Sequence, residues 1–326
     1  MWLLFIACAD KAPDTGWDRG PNPHPLDDLL RLNHVQAEGT HNSYHVRPDV
    51  PVDSSHEYTH APLSEQVGQL GVRQLELDLH LHEGAGWQVF HLPVVDEETV
   101  CLALDDCLVE LKAWSDAAGW HLPLMVWLEP KDDVDGLVEE LLPLAGRIAE
   151  IDEAILATWP RERIFTPDDL RGDHADLPAA LAADGWPRLG EVRGKVLFAL
   201  LDSGDYRDEY LDGAPALQGR LMFVDSAPGD PFAATIKDGG AEDVAAWVDA
   251  GYLVTVNAAG ADDSDADNEA EWAAALATGA HFVATDFAGP VDGRTFEAVI
   301  PGGSPARCNP RVAPAECTAA AVESLP

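Results

Sequence analysis

The chain has 326 residues, of which 46% are hydrophobic, so it can bury a sizeable core and is not a disordered protein. Its 58 acidic residues outnumber 20 basic ones, and the formal net charge of -38 excludes nucleic acid as a partner and disfavours anionic membranes. No apolar run approaches the roughly 20 residues that a membrane-spanning helix needs.

The N-terminal run Met1–Cys8 is apolar up to a small residue and a cysteine, and polar residues follow it. This pattern resembles a bacterial lipoprotein signal with Cys8 as the lipidated residue, although it lacks a positively charged start. We therefore expect an exported protein that is anchored to the cell envelope or secreted, with the alternative that the true start lies upstream. Residues 9–24 are rich in Asp, Gly and Pro, which predicts a flexible tether.

The other four cysteines fall into two local pairs, Cys101 with Cys107 and Cys308 with Cys317. Local pairs of this kind are typical of short disulfide loops in an exported protein. The alternative is a set of unpaired thiols in a cytosolic enzyme. A cysteine metal site is disfavoured, because no Cys-x-x-Cys spacing occurs.

Hydrophobic strands and helices alternate over residues 25–300, which we interpret as one α/β domain. Eight strands are predicted, at Val35–Ala37, Val72–Leu79, Trp87–Phe90, Leu122–Leu128, Val196–Leu201, Leu221–Val224, Leu253–Val256 and Phe282–Ala284. Helical segments are predicted at Leu26–Leu32, Leu63–Leu70, Leu102–Ala118, Val134–Leu156, Thr166–Leu170, Leu177–Ala183, Ala241–Ala250 and Glu269–Ala277. This alternation predicts a single TIM (β/α)₈ barrel. Residues 301–326 are expected to form a surface tail that the local Cys308–Cys317 disulfide holds.

Polar residues with chemical capability stand at the ends of the first four predicted strands: His41 and Asn42, then Glu76 and Asp78, then His91, then Glu129. In a parallel barrel the carboxyl ends of the strands meet at one face, so these side chains are expected to converge. Four of them offer only oxygen ligands, which favours Ca²⁺ or Mg²⁺ over Zn²⁺: Asn42, Glu76, Asp78 and Glu129.

The three carboxylates exceed the charge of one divalent ion, so Lys131 or a cation on the substrate is expected to balance the remainder. His41 and His91 flank the site, and histidine exchanges protons near neutral pH. A metal with oxygen ligands and two histidines suits attack on a phosphate ester, with one histidine protonating the leaving alkoxide. The remaining histidines near these strands are interpreted as loop or rim residues: His45, His56, His60, His80 and His82.

The ordered motifs resemble those of the calcium-dependent phosphatidylinositol-specific phospholipase C family, in its small secreted bacterial branch. His41-Asn42 resembles the family's first catalytic histidine with its metal asparagine, Glu76-x-Asp78 its pair of calcium ligands, His91 its second catalytic histidine, and Glu129 its last acidic ligand. The resemblance covers most of residues 33–320. It implies a distorted TIM barrel, one Ca²⁺ ion rather than Mg²⁺, and a monomer that meets a membrane surface transiently. It also implies cleavage of phosphatidylinositol to diacylglycerol and inositol phosphate through a cyclic phosphate.

One departure and two alternatives remain. The bacterial branch carries arginines after strand seven, where this chain has Val256-Asn257-Ala258, so the headgroup stays open. A glycerophosphodiester phosphodiesterase acting on a soluble substrate shares the barrel, the two histidines and the Glu-x-Asp pair, and Glu129-Pro130-Lys131 fits it too. Its first histidine precedes Arg-Gly, however, whereas Asn42-Ser43 follows here. An inactive barrel acting as a surface binding protein is the alternative of another class, and the complete set of ligands and histidines argues against it.

Overall fold

The computed structural model describes residues 17, 19–132, 138–302 and 305–323, so the predicted signal at 1–8 and its Cys8 lie outside the described residues. The strands are β1 (Val35–Thr40), β2 (Gln74–His82), β3 (Gly86–Val89), β4 (Leu124–Pro130), β5 (Leu141–Leu142), β6 (Val196–Leu200), β7 (Phe223–Val224), β8 (Thr235–Lys237), β9 (Leu253–Asn257), β10 (Phe282–Thr285) and β11 (Ala306–Cys308).

The α-helices are α1 (Leu63–Glu65), α2 (Leu104–Ala118), α3 (Glu150–Thr158), α4 (Pro167–Arg171), α5 (Leu177–Ala183), α6 (Leu189–Val192), α7 (Asp205–Leu211), α8 (Ala241–Asp249), α9 (Asp265–Thr278) and α10 (Ala319–Val322). Short 3₁₀ helices lie at Leu32–His34, Ser54–His56 and Arg161–Arg163, and a π-helix lies at Gln66–Leu70. Within the described part of the chain, no helix is both long and apolar enough to cross a membrane.

Eight strands form a parallel sheet in the order β7-β6-β4-β2-β1-β10-β9-β8. A parallel bridge between Asp225 and Thr235 joins the two outer strands, so the sheet nearly closes on itself. Side chains fill the interior: Trp127 of β4 is fully buried, and its Nε1 donates to Oγ1 of Thr255 on β9 at 3.1 Å. The predicted distorted TIM barrel in a single domain is therefore confirmed.

One of the eight barrel strands differs from the prediction. The predicted strand over Trp87–Phe90 exists as β3, but it pairs antiparallel with β2 and lies outside the barrel ring. Only residues 83–85 separate β2 from β3, and a parallel connection needs a dozen residues or more. The place in the ring belongs to β8, which the sequence analysis missed, and residues 225–234 reach it from β7 without a helix.

Two further predictions about individual segments are wrong in part. The described residues of the predicted helix Val134–Leu156 include β5, which pairs antiparallel with β2, and the helix α3 begins only at Glu150. The segment after residue 301 is more than a surface tail, because β11 pairs antiparallel with β1. Near its end, the buried side chain of Glu323 accepts two hydrogen bonds from Arg73, at 2.9 and 3.1 Å.

Part of the predicted tether and both predicted disulfides lie within the described residues. Within the predicted tether at 9–24, the guanidinium of Arg163 lies 3.3 Å from the centre of the Trp17 ring, so this part contacts the barrel. Both predicted disulfides are present, with Cα separations of 5.5 Å for Cys101–Cys107 and 5.9 Å for Cys308–Cys317.

A glycine of β1 faces a glutamine side chain of β2. Gly39 is paired with Gln74 in the parallel register, and a Cβ atom at position 39 would lie 2.1 Å from Oε1 of Gln74. Any larger residue would therefore require the buried side chain of Gln74 to move. This contact matters for function because β1 and β2 carry the first residues of the site.

Candidate active site

Three carboxylates converge at the C-terminal end of the barrel. Glu76 and Asp78 are alternate residues on β2, so they share a face of the strand, and Glu129 is the register partner of Asp78 on β4. One oxygen atom of each lies within 4.8 Å of the others. We call Glu76, Asp78 and Glu129 the carboxylate cluster.

Buried oxygens of the carboxylate cluster are poorly supplied with hydrogen-bond donors. Oδ2 of Asp78 and Oε2 of Glu76 face only a lysine ammonium, and Oδ1 of Asp78 has no well-aligned donor among the described residues. Burial raises the pKa of Asp78 to about 8, and the charges of Glu129 and Glu76 add to this, although Lys131 opposes it. Buried carboxylates are usually paired or bound to a metal, and an all-oxygen set suits Ca²⁺. The cluster therefore fits the cation that the sequence predicts.

Two lysines supply part of the balancing charge. The Nζ of Lys131 lies 2.7 Å from Oε1 of Glu129 and 3.3 Å from Oδ2 of Asp78. The Nζ of Lys237 lies 3.1 Å from Oε2 of Glu76, and its side chain is only 3% exposed. Lys237 also donates to Oδ1 of Asn257 at 3.1 Å, so a cation does reach the region after strand seven where arginines were missing.

Asn42 sits in a turn that is fixed to the carboxylate strand. It is buried and has a left-handed backbone with φ of 43°, a conformation that asparagine tolerates better than most residues. The N–H of Ser43 donates to the carbonyl of Glu76 at 2.9 Å, and the N–H of Glu76 donates to Oγ of Ser43 at 2.8 Å. These reciprocal bonds hold the His41–Ser43 turn against β2.

His41 is oriented by a buried aspartate. Its Nδ1 lies 2.9 Å from Oδ1 of Asp286, which follows β10, and its Nε2 lies 3.9 Å from Oε1 of Glu76. Burial alone would lower the pKa of His41, but the hydrogen bond and charge of Asp286, together with Glu76, raise it to about 9. Asp286 itself is fixed, because its Oδ2 accepts from the N–H of Ala261 at 2.8 Å. The imidazole is thus held with Nδ1 on Asp286 and Nε2 toward the carboxylate cluster.

His91 is oriented by a different aspartate, which three histidines surround. Its Nδ1 lies 2.8 Å from Oδ2 of the fully buried Asp96. The Nε2 of His45 lies 3.1 and 3.0 Å from the two oxygens of Asp96, and Nδ1 of His56 lies 3.5 Å from Oδ2. Burial raises the pKa of Asp96, but the bonds from His45 and His91 outweigh it and hold the pKa well below its usual range. We call His45, His56, His91 and Asp96 the histidine cluster.

A family model described as Phosphoinositide phospholipase C, Ca2+-dependent, matches residues 30–86 and 80–310. This chain belongs to that family. Its members are phosphodiesterases, and this protein is therefore a phosphodiesterase of the phosphatidylinositol-specific phospholipase C type.

Solved structures agree at the level of the fold. The Ca²⁺-dependent phospholipase C of Streptomyces antibioticus is 22% identical with a TM-score of 0.58, over 80% of this chain and 96% of that one. A calcium-dependent phospholipase C from a Gram-negative bacterium, Pseudomonas sp, is 19% identical with a TM-score of 0.61, over 89% of this chain and 99% of that one. A search of curated proteins found no match.

The geometry of this phospholipase C family member brings most of the predicted site residues together. Glu76, Asp78, Glu129 and Lys131 form one group, and His41 joins it through Glu76. The polar contact of His91 is with Asp96 of the histidine cluster instead, and its side chain is 22% exposed.

Several residues that contact the candidate site were missed or misjudged from sequence. Asp286 stands at a predicted strand end, so the strand-end argument could have found it, whereas Asp96 lies in a loop and gives no such signal. Lys237 was missed because β8 was missed. His45 and His56 were interpreted as loop or rim residues, but both are buried beside Asp96.

Proposed function

We propose that the protein is a calcium-dependent phospholipase C that cleaves phosphatidylinositol to diacylglycerol and inositol phosphate through a cyclic phosphate. One observation carries the proposal: two histidines, each held at Nδ1 by its own buried aspartate, accompany a carboxylate cluster at the barrel mouth. This arrangement supplies two proton-transfer groups and a place for one hard cation, which phosphodiester cleavage needs.

Asn42, Glu76, Asp78 and Glu129 would hold the Ca²⁺ ion, which supplies positive charge to a phosphoryl oxygen and lowers the pKa of the attacking hydroxyl when it is bound. Lys131 lies against Asp78 and Glu129, so its ammonium can turn to a phosphate oxygen of the substrate. A cavity of about 230 Å³ adjoins His41 and Asp286 and gives room for part of the headgroup.

The two histidines divide the proton transfers. Because Asp286 occupies Nδ1 of His41, Nε2 is the atom that takes the proton of the inositol hydroxyl as its oxygen attacks phosphorus. A Ca²⁺ ion on Glu76 would remove part of the negative charge that raises the pKa of His41, which favours the neutral imidazole that this step needs. Because Asp96 occupies Nδ1 of His91, its Nε2 donates a proton to the diacylglycerol oxygen as the phosphorus–oxygen bond breaks. Water then opens the cyclic phosphate with the two roles exchanged.

Incubation with phosphatidylinositol and with glycerophosphoinositol, each with Ca²⁺ and with a chelator, tests the proposal by product analysis. We expect diacylglycerol and inositol cyclic phosphate from phosphatidylinositol, only when Ca²⁺ is present. Glycerol phosphate from the soluble substrate, with phosphatidylinositol left intact, would instead identify a glycerophosphodiester phosphodiesterase. No product from either substrate would favour a binding barrel.

We also propose that the protein is exported and meets its lipid as a monomer in a transient contact. Two disulfides support export, since they persist in oxidising compartments. The net charge of -38 disfavours long residence on an anionic bilayer. Fractionation of the producing cells, with detection of lipid on Cys8, tests the location.

A further inference from the structure

A second group of side chains that can bind a metal is separate from the carboxylate cluster. Three members of the histidine cluster, His56, His91 and Asp96, each place one ligand atom within 4.8 Å of the other two. His56 and Asp96 are 5% and 0% exposed, whereas His91 is partly exposed and leaves a route from the solvent. His56 ends a 3₁₀ helix, whereas His91 and Asp96 lie in one loop. None of the three belongs to the carboxylate cluster.

One ring nitrogen in this group lacks a partner. The Nδ1 of His56 is buried and has no hydrogen-bond partner among the described residues, although it faces Oδ2 of Asp96 at 3.5 Å. A buried polar atom that is left unpaired destabilises the folded protein. A bound ion would remove this cost, because the lone pair of the nitrogen is a metal ligand.

A further histidine, His45, also fixes the carboxylate of the group. His45 approaches both oxygens of Asp96 with its Nε2, and its Nδ1 lies 3.1 Å from the carbonyl oxygen of Tyr58. These contacts fix the His45 ring at both of its nitrogen atoms. Carboxylates that bind metals are commonly fixed by such outer hydrogen bonds.

We propose that Nδ1 of His56, Nδ1 of His91 and Oδ2 of Asp96 form a Zn²⁺ site, separate from the Ca²⁺ site. Two imidazoles and one carboxylate are a ligand set that suits zinc, and three protein ligands leave a fourth position for water. The two histidine nitrogens lie 2.8 and 3.5 Å from Oδ2 of Asp96. Neighbouring ligands of tetrahedral zinc are about 3.3 Å apart, given bonds of about 2.0–2.2 Å, so small side-chain movements suffice.

Occupation of this site has a consequence that rests on the proposed function. Zinc on Nδ1 of His91 replaces the hydrogen that this nitrogen donates to Asp96. With the metal on Nδ1 and a hydrogen on Nε2, the ring cannot take up another proton, so it cannot act as an imidazolium acid. Zinc therefore inhibits the enzyme even when Ca²⁺ is saturating.

Calorimetric titration of the metal-free full chain with ZnCl₂, in saturating Ca²⁺ and without substrate, tests the site. We expect one zinc per chain, and binding at least roughly 10–100-fold weaker for His56→Ala, since loss of an outer partner alone costs that much. His174→Ala is the matched control, because His174 is a partly exposed histidine that pairs with Asp184 away from this site. Asp78→Asn, in the carboxylate cluster, should leave zinc affinity unchanged. Co²⁺ in place of zinc should give the visible absorption of a four-coordinate ion.

Absence of saturable zinc binding, or equal affinity in the wild type and His56→Ala, would overturn the proposal and leave the cluster as a hydrogen-bond network around His91. Thermal unfolding of His56→Ala and of His56→Gln identifies which variant is folded, and the comparison of zinc affinity uses that variant. In the phosphatidylinositol assay, His56→Ala should need more zinc for half-inhibition than the wild type. Zinc binding without a fall in the rate on phosphatidylinositol would contradict the predicted inhibition. An enzyme inactive on phosphatidylinositol would refute the proposed function but leave the calorimetric result standing.

Discussion

Replacement of Lys237 by methionine tests how charge is balanced in the carboxylate cluster. Methionine keeps much of the side chain's length but removes the ammonium that lies 3.1 Å from Glu76 and 3.1 Å from Asn257. Loss of one partner from a buried ion pair costs about 3–5 kcal/mol, because the other charge stays buried and unpaired. For a chain of 326 residues the entropy of unfolding is about 0.7 kcal/mol per K, so each kcal/mol lowers Tm by about 1.5 °C. The expected fall in Tm is therefore roughly 4–7 °C.

Thermal unfolding in chelator and in Ca²⁺ measures this effect. In chelator, Lys237→Met should lose the full amount, whereas the exposed pair Lys112–Asp116 gives a control, Lys112→Met, worth less than about 1 kcal/mol. Ca²⁺ should restore more stability to Lys237→Met than to the wild type, because the ion then neutralises a Glu76 that no lysine holds. Equal Tm values for the two variants in chelator, with equal gains on adding Ca²⁺, would show that neither Lys237 nor Ca²⁺ stabilises the folded protein through Glu76.

Three further predictions address the histidines and the disulfides. His91→Ala should lower the initial rate on phosphatidylinositol by roughly 10²–10⁴-fold at any Ca²⁺ concentration. Asp78→Asn should instead recover activity as the Ca²⁺ concentration is raised. The opposite pattern would mean that His91 binds the ion and Asp78 transfers the proton. The buried His281 accepts from the N–H of Val254 at its Nδ1 and has its pKa lowered by burial to about 3. As the pH falls, the unfolded chain protonates this histidine near pH 6.5, well before the folded protein does, so the free energy of unfolding falls below pH 6.5, by about 2 kcal/mol at pH 5. Urea unfolding of His281→Gln should show a smaller loss of stability in acid, and an unchanged loss would refute this. Serine at both Cys308 and Cys317 should cost near the low end of about 2–4 kcal/mol in the same assay, and no loss would mean that the bridge does not constrain the unfolded chain.

The barrel and its carboxylate cluster were predictable because they depend on local patterns. Alternation on β2 places Glu76 and Asp78 on one face, and the strand-end argument places Glu129 beside them, as the structure shows. The error over the third strand had a signal in the sequence, because three residues between β2 and β3 permit only a hairpin. No comparable signal exists for β8, since three residues are too few for a periodic pattern and Lys237 is polar.

The partners of the histidines were harder to predict for a different reason. Asp96 and His45 belong to loops, and the two loops meet through the His45–Thr99 bridge and the bond from the N–H of Val46 to Glu98. Such pairing between irregular segments leaves no periodicity to detect. From the sequence alone, a single histidine in a loop is therefore predicted to be exposed, and only the tertiary structure reveals that it is buried.

The pairing of β1 with β10 and β11 sets an order of events during folding. The parallel neighbours β2 and β4 are separated by about 50 residues of chain, so the carboxylate cluster can assemble early at a modest loop-closure cost. The contact between His41 and Asp286 spans 245 residues, and β11 reaches β1 only after residue 305 has been synthesised. A growing chain on the ribosome therefore carries the carboxylate cluster long before it can orient His41. Catalytic competence arrives late, with the last barrel strands and the C-terminal segment.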